Sequence, residues 1–206
     1  TPYPEWLVLE IGADRVGDIQ SLGHWLRPDI AVLTNLPLIP AHVEFFPSPQ
    51  ALFEEKGSLL TAVKRGGTIV INEDDEQVKK LVEKLIAEKK LGGRKIIRIG
   101  WSESADVRVG NDQISSDEAG QPAGLTCKID YGGHTIPLRL AHLYGQHQLY
   151  AILAAFAVGL TANCPLLPIT QTLETYRPPP GRGRLIEGVK GIFILDDSYN
   201  ASPTAM

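Results

Sequence analysis

Three short runs of almost unbroken apolar residues, DIAVLTNL, GTIVIN and KIIRIG, recur through the first half of the chain. Helical periodicity fills the gaps between them, in SPQALFEEKGSLLTAVKRG and DDEQVKKLVEKLIAEKK. A strand that is apolar at successive positions must hide both of its faces. A parallel sheet covered by helices on each side does this. The expected fold is therefore α/β, a mostly parallel sheet flanked by helices. WLVLEIG, near the start, reads as one more buried strand and GIFILDD as the last, with GDIQSLGHWLR a helix after the first. Ser48 is placed to cap the helix that follows it, and Gly66 to lie near that helix's end.

The periodicity changes from about residue 105 to 140. DVRVGNDQISS, GLTCKIDYGG and HTIPLRLAH alternate with period two between glycine-rich turns. This predicts a small antiparallel extension within a single domain over residues 1–206. GQHQLYAILAAFAVGL then predicts an alanine-rich buried helix, and PLLPITQTLETYRPPPGRGR an irregular approach to the last strand.

The balance of 20 basic against 24 acidic residues gives a net charge of −4, which argues against a general nucleic-acid surface while leaving room for a local phosphate site. No apolar run approaches the roughly 20 residues of a membrane span, and no signal-like segment opens the chain, so a cytoplasmic protein is expected. Cys127 and Cys164 are few and far apart, and two buried free thiols fit that compartment better than a disulfide.

Several polar residues fall where such a sheet presents its carboxyl edge, the usual ligand crevice of an open α/β fold. Glu10 interrupts an apolar run. A buried unpaired carboxylate is costly, and a metal ion, a cation or escape to solvent at the strand tip each relieves it. Asn35 closes the second strand. His42, in the next loop, reads as a metal ligand, a base or a solvent-facing residue. Lys56 lies on a helix, as a solvated charge or as a desolvated amine able to take up carbon dioxide as a carbamate. Asn72, Asp74 and Asp75 in INEDD suit a helix cap. His147, in GQHQ, faces a ligand or caps the helix it opens. Arg182 and Arg184 in PGRGR suit phosphate or merely keep a surface soluble. The sequence contains no Walker A loop, zinc-type cysteine spacing, serine elbow or G-x-G-x-x-G.

The order and spacing of these stretches are more specific than any one of them. LEIGA, TN, AHVEFFPSPQALFEEKG with 14 residues from His42 to Lys56, VINEDD, GQHQLYAILAA, GR and LDDSYNASPTAM together resemble the central domain of a Mur ligase over nearly the whole chain. The ending is most similar to members that join D-alanyl-D-alanine to a UDP-N-acetylmuramoyl-tripeptide. The resemblance implies an ATP-dependent amide ligase of peptidoglycan synthesis working through an acyl phosphate, with ATP and Mg2+ as cofactors. It implies that Glu10, His42 and a carbamylated Lys56 hold or support magnesium, and that Asn35, His147, Gln148, Arg182, Asp196, Asp197, Tyr199 and Asn200 line the nucleotide crevice. It also implies a nucleotide-cradling loop before Thr1 and an amine-binding domain after Met206, so that the fragment alone is expected to be inactive. The family's usual G-x-H-N-x-x-N is altered here at Gln148 and Ala151, and the loop before His42 is longer than usual. Folylpolyglutamate-synthase-like and cyanophycin-synthetase-like ligases are the alternatives among enzymes. A non-catalytic scaffold that lost the phosphate loop is the alternative outside them.

Overall fold

The computed structural model describes residues 3–36 and 45–199. In chain order the elements are α1 (Asp18–Leu26), β1 (Ile30–Leu33), α2 (Pro49–Ala62), β2 (Thr68–Asn72), α3 (Glu76–Ala87), β3 (Lys95–Gly100), β4 (Val107–Ser116), β5 (Pro122–Tyr131), β6 (His134–Leu140), α4 (Leu149–Thr161), α5 (Leu166–Thr175), β7 (Arg184–Glu187) and β8 (Phe193–Asp196). The first six strands form one sheet in sequential order. β1, β2, β3 and the start of β4 run parallel. β4, β5 and β6 then continue as an antiparallel meander, so the predicted extension is continuous with the main sheet.

The strand sequences explain the layering. All five residues of β2 are buried. Its alternate side chains point to opposite faces, with Ile69 and Ile71 packing with Phe53, Leu60, Val78 and Leu81 from α2 and α3. Val70 joins Ile97, Ile99, Leu153, Phe156 and Ile169 under α4 and α5. Caps set the helix starts: Ser48 Oγ accepts from the Ala51 amide at 3.1 Å, and Asp75 Oδ1 accepts from Gln77 and Val78 at 2.9 Å each. A cap from outside its own helix holds α1, where buried Glu55 accepts from the amides of Gly17, Ile19 and Gln20.

Four expectations change. Residues 6–13 form no strand, and Trp6, Leu7, Val8 and Leu9 are exposed, Val8 at 88%. The run is apolar enough for a strand but no ladder partner reaches it among the described residues. GIFILDD does form β8, but its pairing is antiparallel with β7 in a separate two-stranded sheet, with Ile194 and Leu195 exposed. The stretch read as irregular contains α5, whose Pro168 falls in the first turn, where proline costs little. Cys127 and Cys164 are both free thiols, but Cys164 is exposed and only Cys127 is buried, its thiol pushed up to about 11 mainly by burial.

Candidate functional site

The carboxyl ends of β1, β2 and β3 are tied together by polar side chains. Buried Asn72, the last residue of β2, donates Nδ2 to the Thr34 carbonyl at 2.9 Å and accepts the Asp74 amide at 2.9 Å. Asp74 accepts from the Trp101 amide at 2.7 Å, the Ser102 amide at 3.0 Å and the Tyr150 hydroxyl at 3.1 Å. It thereby joins β2, the end of β3 and α4. Gly100, at φ +154°, leaves the space Asp74 fills, since a side chain there would collide with the carboxylate. The Tyr150 ring meets Trp101 edge-on at 4.9 Å between centroids, and burial, with help from Asp74, pushes its hydroxyl up to about 12. Of the three INEDD residues, Asp75 is the cap that was expected, while Asp74 is the hub of this network.

Lys56 is half-buried on α2. Burial lowers its amine below the ordinary lysine value, partly offset by the charge of Asp75. Asp75 also accepts from the Leu36 amide at 2.9 Å, which fixes the exit of the chain from β1.

A second group lies where the start of α4 meets the 177–199 segment. Gly145 leads into a short 3-10 turn, Gln146–Gln148, that runs directly into α4. Gln148 accepts from the Tyr144 and Gly145 amides at 3.0 Å each and donates to the Arg182 carbonyl at 2.8 Å. His147 Nε2 lies 4.0 Å from Asp197 Oδ2. Asp196 accepts from the Gly181 amide at 3.1 Å, and the Arg182 guanidinium sits 4.0 Å above the centre of the Tyr199 ring. The two groups adjoin through α4, because Tyr150 follows Gln148 by one turn or less.

Six of the residues expected in the nucleotide crevice, His147, Gln148, Arg182, Asp196, Asp197 and Tyr199, are thus neighbours. Asn35 is exposed just beyond β1. Glu10 lies on exposed chain and makes no hydrogen bond or ion pair among the described residues. His42 and Asn200 lie outside the described residues. No group of three or more His, Cys, Asp or Glu side chains suited to a metal occurs among the described residues. Tyr150, Trp101 and Asp112 escaped the sequence reading. Asp112 accepts from Trp101 Nε1 at 2.9 Å and from Gln146 Nε2 at 2.6 Å. The one available signal was a tyrosine on an otherwise apolar helix.

This arrangement falls at the carboxyl edge of the parallel strands, where open α/β sheets bind their ligands, and comparison gives the chain a family. The Mur ligase middle domain matches residues 3–159, and the chain belongs to that family. The UDP-N-acetylmuramoyl-tripeptide–D-alanyl-D-alanine ligase of Mycobacterium leprae is 28% identical over 215 residues, an alignment that covers 100% of this chain and 39% of the relative. A MurF ligase from Thermotoga maritima, solved in complex with ADP, superposes with a TM-score of 0.75 at 27% identity, covering 94% of this chain and 40% of that one. A MurF structure from Acinetobacter baumannii shares the fold at a TM-score of 0.78 and 20% identity, over 96% of this chain and 40% of that one. The chain therefore spans about two fifths of the length of these relatives. Among the described residues no helix is long and apolar enough to cross a membrane.

Proposed function

We propose that this chain is the central, nucleotide-handling part of a cytoplasmic ATP-dependent amide ligase that joins D-alanyl-D-alanine to a UDP-N-acetylmuramoyl-tripeptide. In this reading other parts of the same enzyme supply the phosphate-cradling loop and the amine site. The observation that carries it is the set of groups gathered toward the carboxyl rim of the sheet. A half-buried amine with a lowered pKa, Lys56 on α2, feels the charge of Asp75, which lies just past the end of β2. On the same rim the start of α4 is bonded to a loop presenting an exposed arginine, Arg182.

The chemistry needs those parts. The γ-phosphoryl group of ATP passes to the tripeptide carboxylate, releasing ADP. The amine of the dipeptide then attacks the acyl carbon, phosphate leaves, and the nitrogen loses a proton. Charge accumulates on phosphoryl oxygens throughout, and Arg182 is suited to offset it. A lysine with a lowered pKa has more neutral amine, the form that adds carbon dioxide to give a carbamate and a proton. Carbamylated Lys56 is then an anionic oxygen ligand. Mg2+ keeps several waters and takes one or two protein carboxylates beside phosphate oxygens. In this reading Glu10 and carbamylated Lys56, with His42 in support, would supply that modest donor set. Such an ion, when bound, would offset the negative charge that builds up on the phosphoryl oxygens.

The test is ATP-dependent phosphate release by the full-length protein. It should require both the UDP-linked tripeptide and D-alanyl-D-alanine, and Lys56→Ala should reduce it to background with no rescue by bicarbonate. Wild-type rates in Lys56→Ala, or release indifferent to both acceptor substrates, would overturn the reading.

A further inference from the structure

The geometry assigns Gln148 a positioning role in place of a base-reading one: its carboxamide latches the 179–184 loop, and with it Arg182, to the start of α4. This inference rests on the nucleotide-binding reading above. A carboxamide that reads adenine works at both ends, accepting from the exocyclic amine and donating to a ring nitrogen. The accepting end is the half that tells adenine from guanine, because guanine carries a carbonyl oxygen at that position. In Gln148 this end is occupied. Oε1 takes the Tyr144 and Gly145 amides at 3.0 Å each, filling both of its lone pairs.

The other end reaches across 34 residues of sequence to the Arg182 carbonyl at 2.8 Å. The loop is shaped to receive it. Gly183 has φ +69°, and a Cβ there would lie 2.6 Å from Gln148 Nε2, so the approach needs a glycine. The rest of the loop is held from the opposite side. The Gly181 amide donates to Asp196 at 3.1 Å, and the Gly181 carbonyl accepts from the Tyr199 amide at 3.0 Å. Arg182 therefore has its backbone pinned at the Gln148 side and its guanidinium laid over Tyr199. With Gln148 engaged in this way, the protein's preference among purine nucleotides cannot come from that side chain.

Gln148→Glu isolates the latch, because it keeps an oxygen for the Tyr144 and Gly145 amides and sets a second oxygen against the Arg182 carbonyl. In the full-length protein this substitution should raise the KM for ATP and for GTP alike by about tenfold, with a much smaller change in kcat. In an Arg182→Ala background the same substitution should add little, since the residue it positions is gone. Gly183→Ala, which presses on the contact from the loop side, should reproduce the effect if the glutamate variant fails to fold. A shift of about tenfold or more in the ATP-to-GTP ratio, or full additivity with Arg182→Ala, would overturn the assignment. Amide exchange separates this inference from the ligase reading. Residues 181–184 should exchange faster in Gln148→Glu whether or not nucleotide binds, and unchanged exchange there would refute the latch even in an active ligase.

Discussion

At Lys56 two effects of opposite sign meet. Burial removes water from the ammonium and lowers its pKa, while the charge of Asp75 raises it, and burial prevails. In the unfolded chain the amine regains its ordinary proton affinity. Between the lowered folded value and the ordinary one the unfolded state binds more protons, so stability rises with pH through that window. A half-buried charge is in this sense a defect in the fold. Lys56→Met keeps the length of the side chain and removes the charge. In carbon dioxide-depleted buffer it should raise the thermal midpoint at pH 7, with the gain shrinking as the pH nears about 10. Thermal unfolding followed by circular dichroism at several pH values checks this, and a midpoint below wild type at pH 7 would contradict it. Asp74 has a structural role. Its carboxylate is engaged by two amides and a hydroxyl, so a residue that suits a helix cap in sequence instead ties β2 to the end of β3 and to α4.

Among the elements, the helix ends show how few side chains fix the frame. The α1–α2 pair is set by Glu55 at the start of α1 and by Gly23, where a Cβ would come 2.8 Å from that of Ala62. At the other end of α2 a single arginine closes the helix. Arg94 donates Nε to the Val63 carbonyl at 2.6 Å, Nη2 to Thr61 at 2.7 Å and Nη1 to Lys90 at 3.0 Å, joining the ends of α2 and α3 just ahead of β3. A planar fork suits three divergent carbonyls, whereas an ammonium on a flexible stem does not. Arg94→Ala should cost about 2–3 kcal/mol in a urea melt, and Arg94→Lys should recover less than half of that. Full recovery by lysine would mean that charge near the helix ends matters, and the fork does not.

Across the whole molecule, what could be read from sequence followed from whether the cause was local. β1, β2 and β3 were legible because a strand covered on both faces is apolar along most of its length, as β2 is buried at every position, and the caps at Ser48 and Asp75 because a cap acts within three residues. α5 was missed because its prolines look like breakers until one knows that Pro168 sits in a first turn. The neighbours His147, Gln148, Arg182, Asp196, Asp197 and Tyr199 were singled out through the family resemblance, but Tyr150, Trp101 and Asp112 carry no motif to betray them. Their roles come from contacts up to 76 positions apart. Residues 6–12 were misread for the complementary reason: their composition asks for a ladder, and ladder partners are not a local property. The consequence is measurable. β2, buried at every position, should hold the most slowly exchanging amides of the chain, and residues 6–13 and the β7–β8 pair, apolar but exposed, should exchange fast. An isolated two-stranded hairpin is marginal in water, so β7 and β8 should open well before the main sheet. Exchange measured at two protein concentrations makes the test decisive. If the Val8 amide is as protected as those of β2 at both concentrations, the strand reading of residues 6–12 was right after all. Protection that vanishes on dilution would show that these apolar edges find their partners in another copy of the chain.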